Sequence, residues 1–183
     1  MSGVESQGLP DIHSDNQIWK EVAMPTGYSR AQIALHWVVF GLIALQYLLH
    51  ETIAQAWDKI ELGQEIAFQP LIAAHVFGGL LILALVIWRI VLLRRRGAPA
   101  LPAEEPLAMQ WVAKGTHAGL YALMILMPLS GGMAWFGGVQ AAAGAHEVMR
   151  IILLALIALH VVGALYHQFV LKTDIMARMK RPG

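Results

Sequence analysis

The sequence predicts an all-α protein, a bundle of four transmembrane helices, and three observations carry that prediction. Hydrophobic residues make up 57% of the 183 residues and charged ones only 14%, with a mean hydropathy of +0.57. A water-soluble domain of this size needs more polar residues to coat its surface. The apolar residues gather into four runs, each near the roughly 20 residues that cross a bilayer core as helix. Lys and Arg collect at one end of those runs, the asymmetry that orients membrane proteins.

Residues 1–27 read as a polar N-terminal tail. Glu5, Asp11, Asp15 and Glu21 interrupt any apolar stretch, so this segment is not a signal peptide. The first span runs from Ala31 to Leu49 and the second from Leu71 to Leu93. The third, roughly Trp111 to Phe136, is interrupted by Pro128 and Gly131-Gly132, and a kink is expected at Pro128. The fourth runs roughly from His146 to Leu171. The four-helix domain covers 28–175, and 176–183 is a short basic tail.

Lys20, Arg30, Arg89, Arg94, Arg95, Arg96, Lys114, Lys172, Arg178, Lys180 and Arg181 lie on the side shared by both termini, against Lys59 and Arg150 toward the other. Both termini are therefore expected in the cytoplasm. The loop from His50 to Pro70 then faces outward and carries Glu51, Asp58, Glu61 and Glu65, while the loop from Gly137 to Ala145 has no charge. A formal net charge of +1 does not suggest a nucleic-acid partner. With no cysteine, disulfides, iron–sulfur clusters, thiolate metal sites and covalently attached haem are excluded.

Eight histidines occur, and only His13 lies clearly outside the membrane region. His36 and His50 fall on the first span, His75 on the second, His117 on the third, and His146, His160 and His167 on the fourth. One such residue is ordinarily a packing or hydrogen-bonding group. Seven in four short helices point to function, because ionisable side chains in lipid are costly. Residues 146, 160 and 167 are spaced by 14 and seven, so they share one helix face. Fourteen residues rise about 21 Å, a separation that suits two haems stacked across a bilayer.

Each iron needs a second axial ligand from another helix. His36 lies about 9 Å past Arg30, and His75 about 28 Å past Arg94. His160 and His146 lie about 18 and 39 Å from Lys172. One inward slide of the fourth helix, by about 9 to 11 Å, pairs His36 with His160 and His75 with His146. His50, also 14 residues from His36, is a rival to His75 that this geometry leaves open. Local sequence favours His75, which is followed by Gly78 and Gly79, whose missing side chains let a flat ring approach. Gly163 follows His160 in the same way.

These residues resemble the bacterial cytochrome b561 family of small di-haem membrane cytochromes, related to the cytochrome b subunits of hydrogenases and formate dehydrogenases. The resemblance covers about Tyr28 to Arg181. It rests on Tyr28-Ser29-Arg30 with Leu35-His36-Trp37, His75 with Gly78, Trp88-Arg89, Gly115-Thr116-His117, His146-Glu147, Leu159-His160, Ala164-Leu165-Tyr166-His167, and Asp174 with Met179-Lys180-Arg181. It implies two haem b groups, an inner one held by His36 and His160 and an outer one by His75 and His146. It thereby favours His75 over His50. It also implies a bacterial inner membrane, with lipid and a quinone as partners. Some members oxidise superoxide at the outer face and pass the electron to ubiquinone, while others relay electrons for a separate dehydrogenase or a soluble donor. The acidic outer loop departs from the superoxide-oxidising relatives, since an anion is steered by positive potential.

Arg89 and Arg150 are candidates to pair haem propionates, with Glu147 as the competing partner of Arg150. His117 and His167 are candidates for a quinone site; hydrogen bonds to propionates or backbone are the alternative. Met124, Met127 and Met133 are expected in core packing, and most tryptophans in an interfacial belt. A metal transporter would need carboxylates beside the histidines deep in the spans, and the sequence has none there. A membrane anchor for a larger oxidoreductase would bind haem without turning over alone.

Overall fold

The computed structural model describes residues 27–100 and 105–183, so all of the expected tail but Gly27, His13 included, lies outside the described residues. The chain forms four long helices, α1 (Arg30–Glu61), α2 (Pro70–Arg96), α3 (Leu107–Gly137) and α4 (Gln140–Phe169), then a single turn, α5 (Ile175–Arg178). All four long helices have the length and apolar composition of membrane spans. Their outward faces are apolar: Leu48 is 80% exposed and Phe77 68%. A water-facing bundle would present polar groups there, so these faces meet lipid.

Local chemistry sets the helix ends. Ser29 and Gln32 form a capping box, each side chain bonding the other's backbone N–H at 3.3 and 2.9 Å. Pro70 opens α2, where a missing N–H costs nothing, and Arg94–Arg96 close it against the negative end of the helix dipole. Gly138, at φ 64°, stops α3 in the left-handed region. Only Gly138 and Val139 separate α3 from α4.

Two of the expected loops are shorter than hydropathy alone suggests. α1 continues past Leu49 to Glu61, and α4 begins at Gln140 rather than His146. The extension of α1 is polar but helical, stapled by Gln55 Nε2 donating to Glu51 (2.9 Å) and Trp57 Nε1 donating to Glu61 (2.8 Å). The start of α4 is alanine-rich, and alanine is the best helix former. A reading that follows apolar runs ends where apolarity ends, not where the helix ends.

α1 packs on α2, α2 on α3, and α3 on α4. Val39, Ile82 and Val86 form a buried cluster, covered by Leu42, Ile43, Tyr121 and Met124 among others. At the end where the chain terminates, Gln32 Nε2 donates to Gly97 O (3.2 Å), Trp37 Nε1 to Met179 O (2.9 Å), and Gly183 N to Tyr28 O (3.3 Å). Arg178 lies 2.9 Å from Asp174, and its hydrogen bonding holds that exposed carboxyl below the usual range. The chain's C-terminus thus meets the start of α1 at the end of the bundle that bears Arg94–Arg96.

Candidate functional site

α1 and α4 bring His36 and His160 together at this terminal end, with ring centroids 6.2 Å apart and planes at 65°. His36 borders the buried face made by Gln32, Leu35 and Val39, which fixes the helix rotation and turns the imidazole inward. His117 from α3 joins the pair, its centroid 5.0 Å from that of His160. Its Nδ1 lies 2.7 Å from Ala113 O. A carbonyl can only accept, so Nδ1 carries the proton and Nε2 keeps the lone pair of a neutral ring.

At the opposite end α2 and α4 bring together His75 and His146, with centroids 6.5 Å apart and planes at 64°. A cavity of about 540 Å³ opens here, lined by His75, His146, His50 and Glu147, with Asp58 and Glu61 from the last turns of α1. His50 shares the cavity, but its Nε2 lies 3.8 Å from Glu147, an interfacial contact. The 14-residue spacing along α4 therefore serves two separate imidazole pairs, about 21 Å apart along the axis.

The other candidates fall as follows. Arg150 binds Glu147 through both Nε and Nη2, so the Glu147 pairing is the one the geometry contains. Tyr47 Oη donates to Arg150 O at 2.7 Å, tying α1 to α4. Arg89 Nε donates to Tyr121 Oη at 2.8 Å and leaves its other donors free of that bond. His167 does not join His117: its Nε2 lies 3.3 Å from Glu105 Oε1 and its Nδ1 3.2 Å from Thr173 Oγ1. Gly78 does not face a cavity, because a Cβ there would collide with the Gln46 amide, so it serves close α1–α2 approach. Gly79 and Gly163 do face open space, and Gly79 lines the cavity.

Two groups escaped the sequence reading. Glu105, in the α2–α3 connection, is 8% exposed, and a carboxylate beside Pro106 carries no signal of burial. Ser130 lies between Pro128 and Gly131 and carries no sequence signal of its own, yet its hydroxyl lies 3.2 Å from His146 Nδ1.

The family model for prokaryotic cytochrome b561 matches residues 27–182. The chain is 35% identical over 156 residues to a protein named cytochrome b562 from Cereibacter sphaeroides, covering 85% of this chain and 96% of the relative. It is 29% identical over 177 residues to a probable superoxide oxidase CybB from Yersinia pestis, covering 83% and 94%. It is 24% identical over 173 residues to cytochrome b561 homolog 1 from Escherichia coli, covering 83% and 96%. With four apolar spans and histidines paired between them, the chain belongs to the prokaryotic cytochrome b561 family, as a bacterial membrane cytochrome that binds haem b and transfers electrons.

Proposed function

We propose that the chain holds two haem b groups and carries electrons between the two ends of its bundle, exchanging them with a quinone near the terminal end. His36 and His160 would hold one group, and His75 and His146 the other. The spacing within each pair carries this reading. An imidazole nitrogen sits about 2 Å from a bound metal ion and the ring adds about 1 Å, so imidazoles on opposite faces of one ion have centroids about 6 Å apart. The two pairs, at 6.2 and 6.5 Å, meet that requirement without rearrangement. Each pair also joins helices that do not pack closely on one another, since α4 packs on α3 and α5 rather than on α1 or α2. That leaves width for a flat ring.

A haem held by these histidines would supply reversible one-electron storage. The residues around it do the rest. Arg89, bonded to Tyr121, and Arg150, which shares its charge with Glu147, are the guanidinium donors that would pair the propionates. His117 and His167 serve the quinone end, His117 through its free Nε2 and His167 as the buried partner of Glu105. Arg94–Arg96, Lys172, Arg178, Lys180 and Arg181 support a cytoplasmic position for that end, since Lys and Arg concentrate on the cytoplasmic side. The His75–His146 site is then the outer one.

The relative named as a probable superoxide oxidase suggests superoxide as the outer donor. Asp58 and Glu61 on the cavity wall, with Glu51 and Glu65 exposed nearby, disfavour an anion and support the second reading, a relay from a separate donor. The test is the purified chain in detergent. We expect two haems per chain and full reduction by a quinol. A chain with one haem, or two haems that no quinol reduces, would count against the reading.

A further inference from the structure

We propose that the Met127–Gly131 turn of α3, which bears no haem ligand, is a cradle that fixes the ring of His146 and sets the reduction potential of the outer haem. The inference rests on His146 being an axial ligand, as argued above.

His146 Nδ1 lies 2.9 Å from Met127 O and 3.2 Å from Ser130 Oγ. The carbonyl cannot donate, so the proton of a neutral ring sits on Nδ1 and the lone pair on Nε2, the nitrogen left for iron. Ser130 Oγ in turn donates to the same carbonyl at 3.0 Å, which holds its lone pair toward the imidazole. Ser130 is buried, so no bulk water competes for these bonds.

One feature of the sequence makes the cradle possible. Gly131 supplies the space. A Cβ there would stand 3.1 Å from His146 Cε1 and 3.2 Å from Nδ1, tighter than ordinary packing allows. The segment Met127-Pro128-Leu129-Ser130-Gly131 therefore offers acceptor, hydroxyl and clearance in succession.

His146 is alone in this among the four ring partners. Among the described residues neither His36 nor His160 makes a ring-nitrogen hydrogen bond, and His75 Nδ1 is buried without a partner. An imidazole that donates Nδ1–H to a carbonyl is a stronger electron donor through Nε2 and favours the oxidised metal. The outer site thus has one strengthened ligand and the inner site has none, so the cradle draws the outer potential down.

The test uses the haem-loaded full chain, with potentiometric titration of both haems and their low-spin electron paramagnetic resonance signals. Gly131→Ala makes the ring give by a few tenths of an ångström and strains its bond to Met127 O. We expect the potential of one haem to rise and its g values to move, while the other haem is unchanged. The affected haem must be the one lost in His75→Ala. Ser130→Ala should shift the same haem, and Ser130→Thr, which keeps the hydroxyl, should return it toward wild type. Gly119→Ala is the packing control: its Cβ would press Leu156 of α4 at 2.8 Å, remote from His146. If Gly131→Ala leaves both potentials and both signals unaltered, or if Gly119→Ala reproduces its shift, the cradle is wrong. A wild-type chain with a single haem would sink the di-haem reading and the cradle together.

Discussion

His36 and His160 stand on the first and last spans of the bundle, and their ring centroids are 6.2 Å apart. No local preference can produce that proximity. It requires α4 to settle against the bundle so that one face of its helix meets α1 at one end and α2 at the other.

Removing either member of a pair should cost one haem and leave the second. His36→Ala and His160→Ala are expected to lower the haem-to-protein ratio from two to one, and His75→Ala and His146→Ala to do the same for the other group. His50→Ala should retain both, because His50 faces Glu147 rather than a partner imidazole. Pyridine haemochrome assays against protein mass decide it. A His50→Ala chain lacking one haem would move the ligand role from His75 to His50.

Asp58 and Glu61 line the outer cavity and repel anions. Neutralising both, as Asp58→Asn with Glu61→Gln, should raise the rate of haem reduction by superoxide by about tenfold or more at low salt. The gain should shrink as ionic strength shortens the screening length. Stopped-flow reduction with enzymatically generated superoxide measures it. An unchanged rate would mean that these carboxylates do not control access.

Glu105 and His167 lock the α2–α3 connection to the end of α4, and the Glu105 side chain is only 2% exposed. Glu105→Ala leaves a buried imidazole donor unmet, a loss of about 1–3 kcal/mol. Glu105→Gln keeps an acceptor and should lose less. Thermal unfolding in detergent compares the two. Equal midpoints for wild type and Glu105→Ala would show that the contact contributes nothing to stability.

Gly78 allows α1 and α2 to approach over the Gln46 side chain, whose amide nitrogen and oxygen are both buried without a partner. Gly78→Ala overpacks this contact and should cost about 1 kcal/mol, the low end for overpacking, because the Gln46 amide is the tip of a flexible side chain. Adding Gln46→Ala removes the obstructing amide, so the double variant should recover part of that loss. Additive losses in the two single variants and the double would rule out the contact as the cause.

Much of this protein was legible before its fold. Four apolar runs each long enough for a bilayer dictate four spans, because lipid admits few other ways to satisfy a backbone. The spacing of His146 and His160 dictates one helix face, because 14 residues are nearly four whole turns. The Lys and Arg asymmetry predicts an orientation from composition alone. Tertiary structure decided the rest. Whether His50 or His75 faces His146 depends on how α1 and α2 rotate about their axes, which core packing at Val39, Ile82 and Val86 sets. Where α1 stops depends on side-chain staples beyond its apolar run, such as Trp57 to Glu61. Whether Gly78 faces a cavity or Gln46, and which side chain lies across from His167, are questions of neighbours from distant sequence. Periodicity places a side chain on its own helix, and only packing chooses what lies across from it.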